Sequence, residues 1–212
     1  MAGQRQRQGR LAGLLADLGR RSAGERPPAP RLERMPDDAV ARVLDLYREL
    51  GGRAVGLVTF RPGVWDVVLA DGLVVELDEE QHFNRYRRLT LEPDWAARLP
   101  WAVEYRAHAV EHEDAALRKA RRGGYWTSAS TERMFGPAAP SGEFGGHGSP
   151  RWKQRALYDA MRDAVAVSGA VRLARVAVWD VVGDVPLGRV LDGRAEPDHD
   201  ALAELIERRA AS

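Results

Sequence analysis

The chain has 212 residues, of which 44% are hydrophobic and 30% are charged, a composition typical of a globular domain with a sizeable core. It contains no cysteine, which excludes disulfide scaffolds, thiolate metal sites and cysteine nucleophiles and favours the cytoplasm as its location. The net charge is +1, and all but two of the 32 basic residues are Arg, so that Lys119 and Lys153 are the only lysines. No apolar run reaches the roughly 18 residues that a membrane span needs.

The first 35 residues are predicted to form a basic, partly disordered arm. Residues 1–34 carry eight Arg and three acidic residues, a balance of +5. Such an excess suits an anionic partner such as nucleic acid, and it equally suits a solubilising tail. Residues 1–10 are rich in Gln and Arg and are expected to lack structure. A short helix with leucines on one face follows at 11–18, and a proline-rich linker at 26–30.

Residues 36–212 are predicted to form a single domain, which opens with a helix over 36–50 that ends at a glycine pair. The elements that follow are three strands (Ala54–Phe60, Val64–Ala70 and Leu73–Asp78), a helical stretch (Trp95–Ala120), a long Gly/Ser/Pro-rich loop (Arg121–Ser149), a helix (Pro150–Val167), a strand (Ala170–Val182) and a last helix (Asp198–Arg209). This order predicts a mixed α/β or α+β domain with a mixed central sheet flanked by helices.

The second and third strands form a hairpin with an unusual set of acidic residues. Glu76 and Asp78 lie two apart in a strand of Leu and Val, so both carboxylates are expected on one face, where a bound cation would relieve their repulsion. A three-residue loop at 70–72, with Gly72 in the left-handed conformation, would place Asp66 opposite Glu76; a two-residue loop would turn Asp66 away. The alternative is an edge strand whose acids point into water.

These residues resemble the PD-(D/E)xK nucleases, a restriction-endonuclease-like superfamily, and are most similar to domains of the very-short-patch-repair type. The run Glu76-Leu77-Asp78-Glu79-Glu80-Gln81-His82 follows the E-x-D-G-x-x-H pattern of those domains, with Glu79 in place of the Gly. The resemblance implies a restriction-endonuclease-like core and cleavage of phosphodiester bonds in DNA with Mg²⁺ or Mn²⁺. It implies that Asp66, Glu76 and Asp78 hold the metal, although Asp78 stands where the family usually has lysine.

Three further catalytic candidates, Lys153, Gln154 and His82, follow from the resemblance. The spacing from Gln154 to Tyr158 is similar to a motif of RecB-type nucleases, and it would make Lys153 a relocated catalytic lysine. The same helix is also explained as a packed amphipathic element. His82 suits a general base, a metal ligand or an orienting donor, and it equally suits a hydrogen bond to a loop carbonyl.

Two basic runs with aromatic side chains are candidates for contacts with nucleic acid, because Arg pairs with phosphate and Tyr or Trp stacks on bases. They comprise Arg85, Arg87, Arg88, Arg121, Arg122, Tyr125 and Trp126. Both runs equally suit solvated faces of the protein.

Two other classes of function compete with a nuclease. The aspartate at the lysine position favours a non-catalytic module that binds nucleic acid or a partner protein on a nuclease-like fold. A run from His108 through Glu111 to His112 has the H-x-x-E-H spelling of inverted zinc metalloproteases, in which two His at this spacing share one zinc. That reading also needs a downstream Glu ligand, and the available Glu132 and Glu143 lie in the predicted loop.

Overall fold

The computed structural model describes residues 2–53, 59–121 and 126–211. In these ranges the chain forms, in order, α1 (Ala2–Asp17), α2 (Asp37–Glu49), β1 (Val67–Val68), β2 (Val74–Asp78), α3 (Arg85–Leu89), α4 (Ala102–Glu111), α5 (Glu113–Arg121), α6 (Ala129–Phe135), α7 (Pro150–Val167), β3 (Leu173–Ala177), β4 (Val181–Val182), β5 (Val185–Pro186), α8 (Leu187–Leu191), α9 (His199–Arg209) and β6 (Ala210–Ala211). Short 3-10 helices occur at Leu32–Arg34, Glu80–His82 and Asp94–Arg98. None of the helices in these ranges combines the length and the hydropathy needed to cross a membrane.

The chain divides into two compact units. Unit 1 comprises Met1–Ala29, Gly63–Glu79 and Val171–Ser212, and unit 2 comprises Pro30–Pro62 and Glu80–Ala170. All described strands belong to unit 1, whereas the described part of unit 2 is helical.

Unit 1 is built on a four-stranded mixed sheet in the order β1-β2-β3-β6. β1 is antiparallel to β2, β2 is parallel to β3, and β3 is antiparallel to β6. Strands β4 and β5 form a separate antiparallel pair. Because side chains alternate along a strand, one face of β2 carries Val75 and Leu77 and the other carries Glu76 and Asp78.

The apolar face of the sheet forms the core of unit 1. Val75 and Leu77 of β2 and Ala174 and Val176 of β3 pack with buried residues of α1, α8 and α9. In α1 the buried residues are Leu11, Leu14 and Leu15. Burying one such side chain stabilises a fold by about 1.5–3 kcal/mol, so the three leucines contribute to packing α1 against the sheet.

In unit 2, α7 packs against α2, α3 and α6. Ser149 caps its start by accepting a hydrogen bond from the Trp152 backbone N–H (3.2 Å), and Pro150 occupies the first turn, where it loses no helical bond. Aromatic rings fill the space around the N-terminal half of α7. Trp152 lies with its ring centroid 5.2 Å from that of Trp126 and 5.9 Å from that of Phe144.

The predicted mixed α/β class is confirmed by the nine helices and the mixed sheet of the described ranges. The helices predicted over 36–50, 150–167 and 198–209 are present as α2, α7 and α9. The finer prediction of a restriction-endonuclease-like core stays a prediction.

Several elements differ from those predicted. The strand predicted over Val64–Ala70 is limited to Val67–Val68, and the strand predicted over Ala170–Val182 is divided into β3 and β4. The helix expected at 11–18 begins at Ala2, so residues that were expected to lack structure extend α1. The predicted loop at 121–149 contains α6, whose start is stabilised by a capping box between Ser128 and Thr131. Most of the strand predicted over Ala54–Phe60 lies outside the described residues.

Candidate functional site

The hairpin of β1 and β2 has the register that brings Asp66 opposite Glu76. Val67 pairs with Val75 and Val68 with Val74, and the same register continued by one residue places Asp66 across from Glu76. Three residues, 70–72, form the loop, and Gly72 has a φ of 84°. This is the left-handed glycine in a three-residue loop that the acidic hairpin required.

Side chains of the two acids replace backbone hydrogen bonds at this end of the hairpin. The Asp66 backbone N–H donates to Glu76 Oε1 (3.0 Å), and the Leu77 backbone N–H donates to Asp66 Oδ2 (3.0 Å). The second oxygen of Asp66 accepts from Nε2 of Gln8 in α1 (2.6 Å). Glu76 is buried, whereas Asp66 is partly exposed. The two carboxylates are therefore held in place by donors from β2, the hairpin backbone and α1.

Asp78, at the end of β2, has a buried cationic partner that the sequence analysis did not assign. Nη1 of Arg175 donates to Asp78 Oδ2 at 2.5 Å, and the two side chains are 0% and 2% exposed. Arg175 belongs to β3 and lies opposite Glu76 in the parallel register. The sequence held one indication of this ion pair, a single Arg inside an apolar strand. A buried charge is tolerated only when it is paired, so such an Arg predicts an acidic partner.

The three predicted metal ligands therefore divide into a pair and a single residue. Within the described residues, ligand atoms of Asp66, Glu76 and Asp78 do not all lie within 4.8 Å of one another. Mg²⁺ is commonly bound through only one or two carboxylates and keeps several waters, and ionised carboxylates accept more than one bond each. Metal binding by Asp66 and Glu76 stays a prediction, and the Arg175 guanidinium offsets the charge of Asp78.

In unit 2, His82 is hydrogen-bonded to a carboxylate. Its Nδ1 lies 2.8 Å from Oδ2 of Asp159, which is buried in α7. The two residues before His82 in its 3-10 helix are also held by basic side chains: Arg155 donates to the carbonyl and side-chain oxygens of Gln81, and Lys119 pairs with Glu80 at 2.6 Å. A carboxylate at Nδ1 fixes the orientation of an imidazole ring. Asp159 was missed because nothing in the sequence links it to His82, 77 positions away.

Lys153, the predicted relocated lysine, is buried in unit 2 among aromatic rings. Its Nζ lies 5.5 Å from the ring centroid of Tyr86 and 6.0 Å from that of Phe135. Burial lowers the pKa of Lys153 below its ordinary value. Burial thus makes the charged form of this lysine less favourable than it is in water, while the two aromatic faces partly offset this effect.

Gln154 and Tyr158 make packing contacts of ordinary kinds. The Gln154 side chain accepts a hydrogen bond from Arg151 and donates to Sδ of Met134 at 3.2 Å. The hydroxyl of Tyr158 accepts from the Arg61 backbone N–H at 3.2 Å. These contacts agree with the alternative reading of this helix as a packed amphipathic element.

The predicted nucleic-acid contacts of α3 lie in different environments. Arg87 is fully buried and pairs with Asp163 at 2.6 Å, so the structure places it in the interior of unit 2 and away from any nucleic-acid surface. Arg85 binds Glu113 through Nε and Nη2 at 3.0 and 2.8 Å. Arg85 and Arg88 are each about half exposed, and Arg88 pairs with Glu92 at 3.3 Å.

The second run lies largely outside the described residues. Nothing is described for Arg122 and Tyr125, nor for the side chain of Arg121. Trp126 is buried and donates from Nε1 to the Ala139 carbonyl at 2.8 Å. Its indole is therefore part of the aromatic packing around α7, where it has no face open to a nucleic-acid base.

The H-x-x-E-H run straddles the end of α4. His108 lies in the helix and packs edge-on against Phe83, with ring centroids 5.6 Å apart, whereas His112 follows the last helical residue, Glu111. The two imidazole rings are 5.6 Å apart. Burial lowers the pKa of His112, and His108 adds to this effect. No third His or carboxylate of the described ranges joins them within 4.8 Å, so the zinc set of a protease is not assembled there.

Comparison with protein families gives a match of unknown function. A family described as "Family of unknown function (DUF7255)" matches residues 45–192, which is more than half of the chain. The matched range contains the acidic hairpin and α7, and it excludes α1. No curated protein and no solved structure matches the chain.

Proposed function

The chain belongs to the family of unknown function DUF7255, and because that family carries no assigned activity, we propose from the side chains themselves that it is a metal-dependent nuclease acting on DNA. The observation that carries the proposal is the hairpin register that places Asp66 across from Glu76. Facing side chains on an antiparallel pair lie about 5 Å apart, a separation at which two carboxylates can share one divalent cation. A cytoplasmic location, inferred from the lack of cysteines, stays a prediction.

The residues of the hairpin have separable parts in this proposal. Asp66 and Glu76 would hold Mg²⁺ or Mn²⁺, which supplies charge neutralisation at the phosphate and a more acidic water. The Asp66 backbone N–H orients the Glu76 carboxylate, and the Leu77 backbone N–H orients that of Asp66. Gln8 donates to the other oxygen of Asp66, Oδ1. Arg175 offsets the charge of Asp78 on the same face of the sheet.

Metal binding and DNA cleavage test the proposal with matched variants. Glu76→Gln and Asp66→Asn keep the size of each side chain and one acceptor oxygen and remove the charge, so both are expected to lose Mg²⁺ and Mn²⁺ binding in calorimetry and cleavage of plasmid or single-stranded DNA. Asp71→Asn, in the loop of the same hairpin, is the control and is expected to retain both. Wild-type metal binding and cleavage by both hairpin variants, with folding verified by circular dichroism, would contradict the proposal.

A non-catalytic DNA-binding module is the second candidate, and the buried Arg175–Asp78 ion pair favours it. The Arg175 guanidinium is the ion-pair partner of Asp78, and it cannot transfer a proton at neutral pH. This candidate predicts DNA binding that is insensitive to Mg²⁺ and no cleavage by the wild-type protein. The same two assays therefore separate the candidates.

A further inference from the structure

Unit 1 contains an open pocket of about 490 Å³ beside Asp66, named here the α1 pocket. It is lined by one face of α1, by residues 22, 23 and 26, and by residues 63–68. Its size lies within the range that holds small organic ligands. From α1 the lining includes Arg5 and, one turn later on the same face, the adjacent residues Gln8 and Gly9.

Two small residues, Gly9 and Ala12, leave space on the pocket-lining face of α1. A side chain added at Gly9 would meet nothing within 4 Å, and Ala12 continues the same face one turn later. The neighbouring face carries Leu11, Leu14 and Leu15, which anchor the helix in the core. The position of α1 is therefore set by its leucines, while its small residues leave the space beside the hairpin open.

Two arginines give the α1 pocket donors for an anion. Nη1 of Arg26 donates to the Trp65 carbonyl at 3.2 Å, which fixes a guanidinium that has five N–H donors in all. Arg5 is exposed, and its side chain makes no hydrogen bond or ion pair with any residue that the structure describes. Phosphate oxygens are the acceptors that best match such planar donors.

We propose that the α1 pocket binds a phosphodiester group of a nucleic-acid strand, with Arg5 and Arg26 as its phosphate contacts. This inference rests on the proposed nuclease function and extends it, since it assigns the α1 segment a role in holding substrate beside Asp66. Asp66 lines the pocket, and its Oδ1 accepts a hydrogen bond from Gln8, which lines the pocket from α1. The pocket thus brings phosphate donors and a metal-binding carboxylate to one place.

The test uses the full chain and a short labelled single-stranded DNA, with fluorescence anisotropy in EDTA so that no cleavage occurs. Gly9→Leu fills the pocket, and Gly13→Leu is the matched control, since Gly13 is also a glycine of α1 with open space around its Cα and does not line the pocket. Gly9→Leu is expected to weaken binding at least about tenfold, the loss of roughly one charged hydrogen bond, and Gly13→Leu to bind like the wild type.

A second variant checks the two arginines by their dependence on salt. Loss of two phosphate contacts is expected to flatten the slope of log K against log salt by about 1.4 in the Arg5→Gln, Arg26→Gln double variant. Inorganic phosphate is the probe for a free-anion site: binding of phosphate without binding of DNA would overturn the assignment to nucleic acid. Wild-type affinity and salt slope in Gly9→Leu would overturn the pocket itself. Because EDTA removes the metal, either result is independent of whether the hairpin cleaves DNA.

Discussion

Replacement of Arg175 by methionine tests whether its ion pair with Asp78 is a structural part of unit 1. Methionine is about as long as the aliphatic part of Arg and has no charge, so Arg175→Met leaves the buried Asp78 carboxylate without this cation. Removing one partner of a buried pair costs about 3–5 kcal/mol. For a chain of this length 1 kcal/mol corresponds to about 2–4 °C, so the melting temperature is expected to fall by roughly 6–20 °C.

The assay is thermal unfolding followed by circular dichroism in EDTA, with Arg172→Met as the control. Arg172 is exposed near the start of β3 and donates only to the Asp71 carbonyl, at 3.1 Å, so its replacement is expected to change stability by at most about 0.5 kcal/mol. The Arg175→Met, Asp78→Asn double variant is expected to lose clearly less than the sum of the two single losses. An Arg175→Met protein that melts within about 2 °C of the wild type would refute the reasoning.

The same variants decide the role of Asp78 in metal binding. If Arg175 occupies Asp78 as a structural partner, Asp78→Asn destabilises the fold and leaves Mg²⁺ affinity nearly unchanged, whereas Glu76→Gln does the reverse. Loss of metal binding in Asp78→Asn would instead return Asp78 to the ligand set that the sequence predicts. Calorimetry below the melting temperature of each variant separates these outcomes.

Two further predictions concern unit 2. Because burial lowers the pKa of Lys153, the unfolded state binds more protons between the folded and unfolded pKa values, so stability is expected to rise with pH through that window and this rise to be absent in Lys153→Met. NMR titration of the reductively ¹³C-methylated protein checks the direction, with the exposed Lys119 as its reference signal, and a Lys153 titration at or above that of Lys119 would contradict it. Asp163→Asn weakens a pair in which both side chains are 0% exposed and is expected to lower the free energy of unfolding in urea by about 3–5 kcal/mol; a loss below about 1 kcal/mol would show that Arg87 finds another acceptor.

The parts of the fold that could be predicted are those whose cause is local in the chain. The hairpin loop follows from Gly72 and from the alternation along β2, and α7 follows from its proline start and apolar stripe. The first residues of α1 could not be predicted, because they lack an apolar stripe and are held by long-range partners. Arg7 pairs with Asp192 at 2.7 Å and Gln8 with Asp66, contacts that no local pattern reveals.

The candidate site also has one part that local sequence predicts and another part that only the tertiary structure determines. The facing of Asp66 and Glu76 was predictable because it depends on one loop length. The partners of Asp78 and His82 were not, because Arg175 and Asp159 lie 97 and 77 positions away in the chain and meet them only through tertiary structure. The error at Arg87 has the same origin, since a basic run reads as exposed until its buried acid is known.

The basic side chain paired with Asp78 is an arginine and not a lysine, and this limits the chemistry that unit 1 can perform. A lysine in a site of this kind can supply charge and can also exchange a proton when its pKa is lowered, whereas an arginine keeps its proton at any physiological pH. Arg175 can therefore stabilise charge on this face of the sheet but cannot act there as an acid or a base. If the hairpin cleaves DNA, its own residues supply ligands and charge, and the proton must be taken by solvent or by a residue other than Arg175. A pH–rate profile that changed in Arg175→Met only in amplitude, with its inflections unmoved, would fit this division of roles.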